Sequence, residues 1–200
     1  MNGVQVVTAA ALPAVTLAEA KAHLAVDADD SDTMIELLVS AATDHAESFM
    51  GRALVERTLD YFIDAFPDSG GAIRLPFPPL IEVVGLFYTD IADDEQEFTS
   101  FEVDAASEPA RLYLTPSNSW PSPRVSANAV RVRYRAGHSA VSGSPPALDG
   151  TIPPDIKAAI LMMTGTLFEF RETVTALSAS QVPWSAEQIM RRHRVELSAA

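Results

Sequence analysis

The sequence predicts an α+β fold: a helical bundle carrying an inserted small antiparallel β-sheet or sandwich. Three observations lead there. Residues 33–50 place Ile35, Leu38, Val39, Ala42, Ala46 and Phe49 on one helical face, and Glu36, Ser40, Thr43, Asp44 and Glu47 on the other. Pro153–Glu172, PPDIKAAILMMTGTLFEFRE, repeats that period in Ile156, Ala159, Ile160, Met163, Leu167 and Phe170. Between them, Ala129–Ala136, AVRVRYRA, alternates strictly: Val130, Val132 and Tyr134 face one way, and Arg131, Arg133 and Arg135 the other.

Taken in order, residues 1–15 read as a flexible arm, small and apolar without a period. Thr16 and Glu19 form a capping-box pattern that opens a short helix near 16–24, with Leu17, Ala20 and Leu24 as its stripe. The acidic run Asp27–Asp32 follows. It fails as a calcium loop, because position six is Asp32 where glycine is needed and position twelve is Leu38 where glutamate is needed. The better reading is that Asp30, Ser31 or Asp32 caps the helix of residues 33–50 and the acids favour its positive end. Gly51 stops that helix at C′. His45, at the edge of the apolar face, reads as packing.

After Arg52 the texture turns to β-formers. Thr58–Phe66 is a strand, PDSGG (67–71) a hairpin turn, and Ile73–Leu75 a segment that pairs back. Ile81–Thr89, IEVVGLFYT, is a second strand, and Phe98–Val103 and Arg111–Leu114 are short ones. Asp90–Glu97 is an acidic loop, and the prolines of Pro116–Arg124 around Trp120 exclude regular structure there. Gly137–Thr151 is a Gly/Ser/Pro-rich loop leading to the helix near 153–171. Two prolines open that helix, and Leu161 and Phe168 lie off its main face, so it needs more than one neighbour. Thr173–Gln181 is small and polar, and a last short helix covers about Ala186–Arg191. The division that results is an arm and bundle helices over 1–53, a β domain over 54–137, and a linker, central helix and C-terminal tail over 138–200.

Composition narrows the function. The chain has 200 residues, 14 Lys and Arg against 27 Asp and Glu, a formal net charge of −13 and no cysteine. It reads as a soluble globular protein of cytoplasmic origin: its N-terminus lacks the basic region of a signal peptide, and the central apolar helix is too short to span a bilayer. The acidic balance argues against a surface that grips nucleic acid, though not against one that nucleic acid must pass. Without cysteine there is no disulfide, thiolate nucleophile or cysteine-bound zinc. His23, His45, His138 and His193 have no metal-ligand spacing, and no phosphate loop or nucleophile elbow occurs. No catalytic, cofactor-binding or metal residue is therefore assigned, and a general acid–base pair hidden among the carboxylates stands as the enzymatic alternative. The scarce cations form two groups: Arg131, Arg133 and Arg135 on one strand face, and Arg191, Arg192 and Arg194 near the C-terminus. These suit acidic patches on a neighbour, a solvated face and helix terminus, or phosphate.

A set of segments now resembles the head–tail connector (adaptor) proteins of tailed bacteriophages and phage-derived gene transfer agents. They are VTLAEAKAHLAVDADDSD (15–32), AESFMGRAL (46–54), LPFPPLIEVVGLFYTD (75–90), VRVRYRAGH (130–138), FEFRE (168–172) and VPWSAEQIMRRHRV (182–195). Phe170 stands where such connectors often carry asparagine. The resemblance implies a helical bundle with a small β domain, and a structural role in the virion. It implies a homo-oligomeric ring, commonly twelve-fold, under the portal protein at the capsid vertex, made in the bacterial cytoplasm. That ring joins the portal to a tail-side stopper or tail terminator protein and leaves a channel through which DNA passes without specific binding. On this reading Trp184, Arg191, Arg192 and Arg194 dock the portal on a tail that orders on contact. Deleting residues 180–200 would then abolish attachment and leave the fold intact. Leu161, Phe168, Arg131, Arg133 and Arg135 are the expected subunit interface. The alternative is a small partner-binding structural or regulatory domain unrelated to virions.

Overall fold

The computed structural model describes residues 3–68, 70–141, 147–148, 152–170 and 184–195. In chain order the elements are strand Gly3–Thr8 (β1), helices Leu17–Leu24 (α1) and Asp32–Met50 (α2), and strands Arg57–Ile63 (β2), Ile73–Arg74 (β3) and Leu80–Thr89 (β4). Strands Glu95–Glu97 (β5), Phe101–Asp104 (β6), Arg111–Leu114 (β7), Val130–Ala136 (β8), Ala140–Val141 (β9) and Ala147–Leu148 (β10) follow, then helices Pro154–Glu169 (α3) and Trp184–Arg192 (α4). The class is the α+β one expected. Two compact units form, one from the described residues of Met1–Ala11, Val55–Ser139 and Val195–Ala200, the other from those of Leu12–Leu54 and Ala140–Arg194.

In the helical unit, α3 packs against α1, α2 and α4, which is why its sequence is apolar on more than one side. The capping box at α1 is formed: Glu19 N–H donates to Thr16 Oγ1 at 3.2 Å, and Thr16 N–H donates to Glu19 Oε2 at 2.8 Å. The acidic run behaves differently from expectation. Ser31 at the start of α2 makes no side-chain cap bond. Instead Lys21 Nζ donates to Asp29 Oδ1 at 2.8 Å and to Asp32 Oδ1 at 2.7 Å, so one ammonium gathers the acids at the helix start.

Ile35, Val39, Ala42, Ala46 and Met50 of α2 are buried, as are Ile156, Ala159, Ile160 and Met163 of α3 and Ala186 and Met190 of α4. Burying a side chain of this kind contributes roughly 1.5–3 kcal/mol, so these three faces hold the unit together. Glu47, placed by period on the polar face of α2, is buried as well. Its Oε1 accepts the Leu54 N–H at 2.8 Å, and its carbonyl accepts those of Gly51 and Arg52. Leu167 and Phe170 do not join the core of α3. The helix ends at Glu169, and Phe170 at φ −103°, ψ 70° has left the helical spiral. Both side chains are exposed.

The β unit holds a five-stranded antiparallel sheet in the order β1-β2-β8-β4-β5 and a three-stranded sheet in the order β3-β7-β6. Strand β8 lies at the centre of the larger sheet, and its alternation is realised: Val130, Val132, Tyr134 and Ala136 are buried, and the three arginines lie on the opposite face. Two expectations are corrected. Residues 3–8 are not an arm but an edge strand, paired with β2 from Gly3↔Phe62 to Thr8↔Thr58. Its bonds are main-chain bonds and its side chains stay mostly exposed, and the alternation Val4-Gln5-Val6 is too short to mark a strand. Ile73–Arg74 does not pair back on β2 but joins β7 through Ile73↔Leu112, so the turn at Gly70 carries the chain from one sheet to the other. In the helical unit, β9 and β10 form a separate antiparallel pair, Ala140↔Leu148 and Val141↔Ala147.

Candidate assembly surfaces

Within the β unit, the LPFPP segment and the β8 end meet. Leu75 is buried, and its N–H donates to Ala110 O at 2.8 Å. Tyr134 Oη donates to Pro76 O at 2.7 Å, and Gly137 N–H donates to Pro79 O at 2.9 Å. Proline carbonyls suit this role, since the residue has an acceptor and no donor to satisfy. Burial pushes the Tyr134 phenol far above its ordinary pKa, so the hydroxyl remains a donor. Gly137 has φ +107°, and a Cβ there would lie 2.4 Å from Val55 O. Only glycine fits between these two chain segments.

Within the helical unit, the GRAL turn and the C-terminal basic segment meet. Gly51 takes φ 66° and ends α2, which aims Arg52 at the C-terminal segment. Arg52 Nε donates to His193 O at 2.5 Å. His193 Nε2 lies 2.8 Å from Asp155 Oδ2, in the first turn of α3, and Arg192 Nη2 lies 3.5 Å from the same oxygen. The hydrogen bond to His193, with the charge of Arg192 beside it, holds the Asp155 carboxyl below the usual carboxylate range. The end of α2 and the start of α3 thus converge on the end of α4 and the residue after it.

The predicted docking residues sit on and beside α4. Trp184 is 73% exposed, which is unusual for the largest apolar side chain. Arg191 pairs with Glu187 one helical turn back at 2.7 Å and remains largely in solvent, as does Arg192. The Arg194 guanidinium lies 5.7 Å from the centre of the Phe49 ring. One expectation is corrected: α4 is already folded against its neighbours, with Ala186 and Met190 fully buried. Deleting residues 180–200 would open the bundle core, because it removes those two side chains. The stretch expected to tether the tail, 173–181, lies outside the described residues.

Of the predicted interface residues, Leu161 and Phe168 are half-buried on α3. The arginines of β8 all engage carboxylates of their own chain. Arg131 reaches Asp60 at 3.3 Å and Glu95 at 2.7 Å, Arg133 reaches both oxygens of Asp60, and Arg135 holds Glu56 and Glu82. The hydrogen bonds from Arg133, with Arg131 adding charge, keep Asp60 below the ordinary carboxylate range despite its burial. Phe87 lies under Arg131, ring centre to guanidinium 4.5 Å, and its ring spreads over Gly85, where a Cβ would meet it at 2.6 Å.

A cluster that the sequence left unassigned gathers Phe66, Tyr88, Phe98 and Trp120. Phe66 and Trp120 stack at 4.9 Å, Phe98 meets Trp120 at 5.4 Å, and Tyr88 meets Phe66 edge-on at 5.8 Å. The proline-rich segment around Trp120 is irregular, as expected, and serves to lay that indole on the strand ends.

Comparison with known proteins bears on the family and the fold. Residues 14–100 match the family model described as the phage gp6-like head-tail connector protein. Over those residues the match bears out the resemblance to head–tail connectors. The match covers the GRAL turn and the LPFPP segment; the β8 end and the basic residues at the end of α4 lie beyond it. No curated protein sequence matches. Among solved structures, a chain in the virion of a native gene transfer agent (GTA) particle superposes with a TM-score of 0.76 at 20% identity, covering 98% of both chains. Chains in the neck of the empty particle computed with C6 symmetry and of the native particle computed with C12 symmetry each give 0.75, at 22% and 21% identity, covering 99% of this chain and 98% of theirs. At this identity the likeness is one of fold, along nearly the whole chain. The connector-family match and that fold together support a structural connector role.

Proposed function

We propose that this protein is the connector ring at the head–tail junction of a phage or gene-transfer-agent particle. Copies form a closed ring under the portal protein, join it to the tail-side stopper or terminator, and leave a channel for DNA. The observation that carries this is the match of residues 14–100 to the connector family model. The neck chains of similar fold, in particles computed with C6 and C12 symmetry, support a ring.

The physical chemistry fits such a part. With a net charge of −13 the chain repels phosphate, so DNA can slide past; a basic wall would hold it through many salt-dependent contacts. The portal contact falls to Trp184, Arg191, Arg192 and Arg194, where an exposed indole opens the helix that solvent-facing Arg191 and Arg192 close. Leu161 and Phe168 remain the apolar candidates for a subunit contact. The arginines of β8 bring to such a contact a surface whose charges are already paired.

The test is electron microscopy of particles from a producing strain lacking this gene, with a complemented control. DNA-filled heads without tails are expected. Normally tailed particles would overturn the connector reading and favour a partner-binding domain with no place in the virion.

A further inference from the structure

The five-stranded sheet ends in two unlike edges. At one lies β1, GVQVVT, with no charged residue and no proline. At the other lies β5, EQE, with two glutamates. Edge strands carry unpaired main-chain N–H and C=O groups and are normally blunted by charge, proline or shortness. β5 is short and acidic. β1 has only a register shift between Val6 and Thr8, which spoils its far end and leaves Gly3–Val6 regular.

The registers fix which side chains share a face. Val4 and Val6 lie opposite Tyr61 and Leu59, and Leu59 is in the core, so both valines continue the buried face of the sheet. Yet Val6 is 57% exposed: the apolar face runs out of cover at this edge. Gln5 lies opposite Asp60, on the arginine face. On β5, Gln96 pairs with Tyr88 and so lies on the face of Val130, while Glu95 and Glu97 lie on the arginine face.

Three pairings between copies can be compared. β5 on β5 sets glutamates against glutamates and is repelled. β1 on β1 is two-fold and closes after two copies, so it cannot build a ring. β1 on β5 joins four regular residues to three, sets the Gln5 amide beside Glu95 and Glu97, sets Val4 and Val6 beside Gln96, and repeats from copy to copy. We propose that the β1 edge of one copy pairs with the β5 edge of the next, so that the sheet continues around the ring. This rests on the ring reading above.

The chain's lack of cysteine gives a clean test. Val4→Cys or Val6→Cys is combined with Gln96→Cys, the two choices covering the neighbouring registers on one face. Protein assembled in particles is oxidised, run on a denaturing gel, and imaged in parallel for rings. The proposal expects a ladder of cross-linked multimers beyond the dimer from a double variant, and monomers from each single variant. It also expects Val6→Lys to melt like the parent but to form few or no rings. Dimers from Val6→Cys alone would show β1 pairing with itself and overturn the proposal. Rings without cross-links in either double variant would overturn it and leave the connector reading intact. If neither rings nor cross-links form, both readings fall.

Discussion

Asp60 and Arg133 sit directly opposite each other on β2 and β8, and Nε and Nη2 of the guanidinium each meet one carboxylate oxygen at 2.8 Å. The carboxylate is only 8% exposed and also receives Arg131. Two-pronged and shielded, the pair is stronger than an ordinary surface bridge. Asp60→Asn leaves two guanidinium groups without their shared charge, and urea denaturation at neutral pH should show a loss of about 1–3 kcal/mol. The pH dependence has a definite sign. A carboxyl held low in the folded state stabilises above its unfolded pKa, about 4, and that stability fades as pH falls through the folded value. The parent should therefore lose more stability than Asp60→Asn below about pH 4. Parallel acid curves would remove this pair from the account.

Gly137 is fixed by two separate constraints, its φ of +107° and the closeness of Val55 O. Gly137→Ala should cost about 2 kcal/mol or more, through strain and a displaced strand end. Gly3→Ala is the control, because nothing lies within 4 Å of a Cβ there. Thermal melting of both variants checks this. Equal melting temperatures would mean that the β8 end yields easily.

What the sequence made legible follows from how each element is held. The period of α2 and the alternation of β8 are visible because each buries one face against a core. β1 is held by main-chain bonds, Val6 and Val7 remain in solvent, and the consecutive valines cut its alternation short. β3 was misplaced because a turn at Gly70 looks the same whether the next strand pairs back or crosses to another sheet. Among candidate site residues, the arginines of β8 and the basic group at the end of α4 are visible as rare cations in an acidic chain. Their partners Asp60, Glu56, Glu82 and Asp155 are not, because sequence distances of up to 79 residues separate each pair. Glu47 was hidden for a similar reason, since its burial answers the Leu54 N–H beyond the helix end.

Asp155 tethers the residues that follow α4 to the start of α3. Asp155→Asn removes the charge shared by His193 and Arg192 and should speed amide hydrogen exchange in α4 at neutral pH, while α2 stays protected. In the parent, acid should likewise lower the protection factor of α4, read relative to the intrinsic exchange rate at each pH. Asp155 is held low, so its contribution is present above the ordinary carboxylate pKa and is lost as pH falls through the lowered folded value. An α4 protection factor that changes with neither the substitution nor acid would show that this contact is not what holds the helix end.

Because Ala186 and Met190 are core residues, the docking surface is better tested by point changes than by truncation. Trp184→Ala and Arg191→Glu alter exposed side chains and should leave the melting temperature nearly unchanged. Each should weaken portal binding roughly tenfold or more if it lies at the centre of that contact. Calorimetry or surface binding with purified portal reads the effect. Unchanged binding in both variants would move the portal contact to another part of the chain.

The most direct measurement is a cryo-electron reconstruction of the neck of the particles whose genes encode this chain. The account predicts a closed ring of this fold between portal and tail, with Trp184, Arg191, Arg192 and Arg194 against the portal and DNA or an open channel along the axis. A neck in which no density fits this chain, in otherwise complete particles, would contradict it.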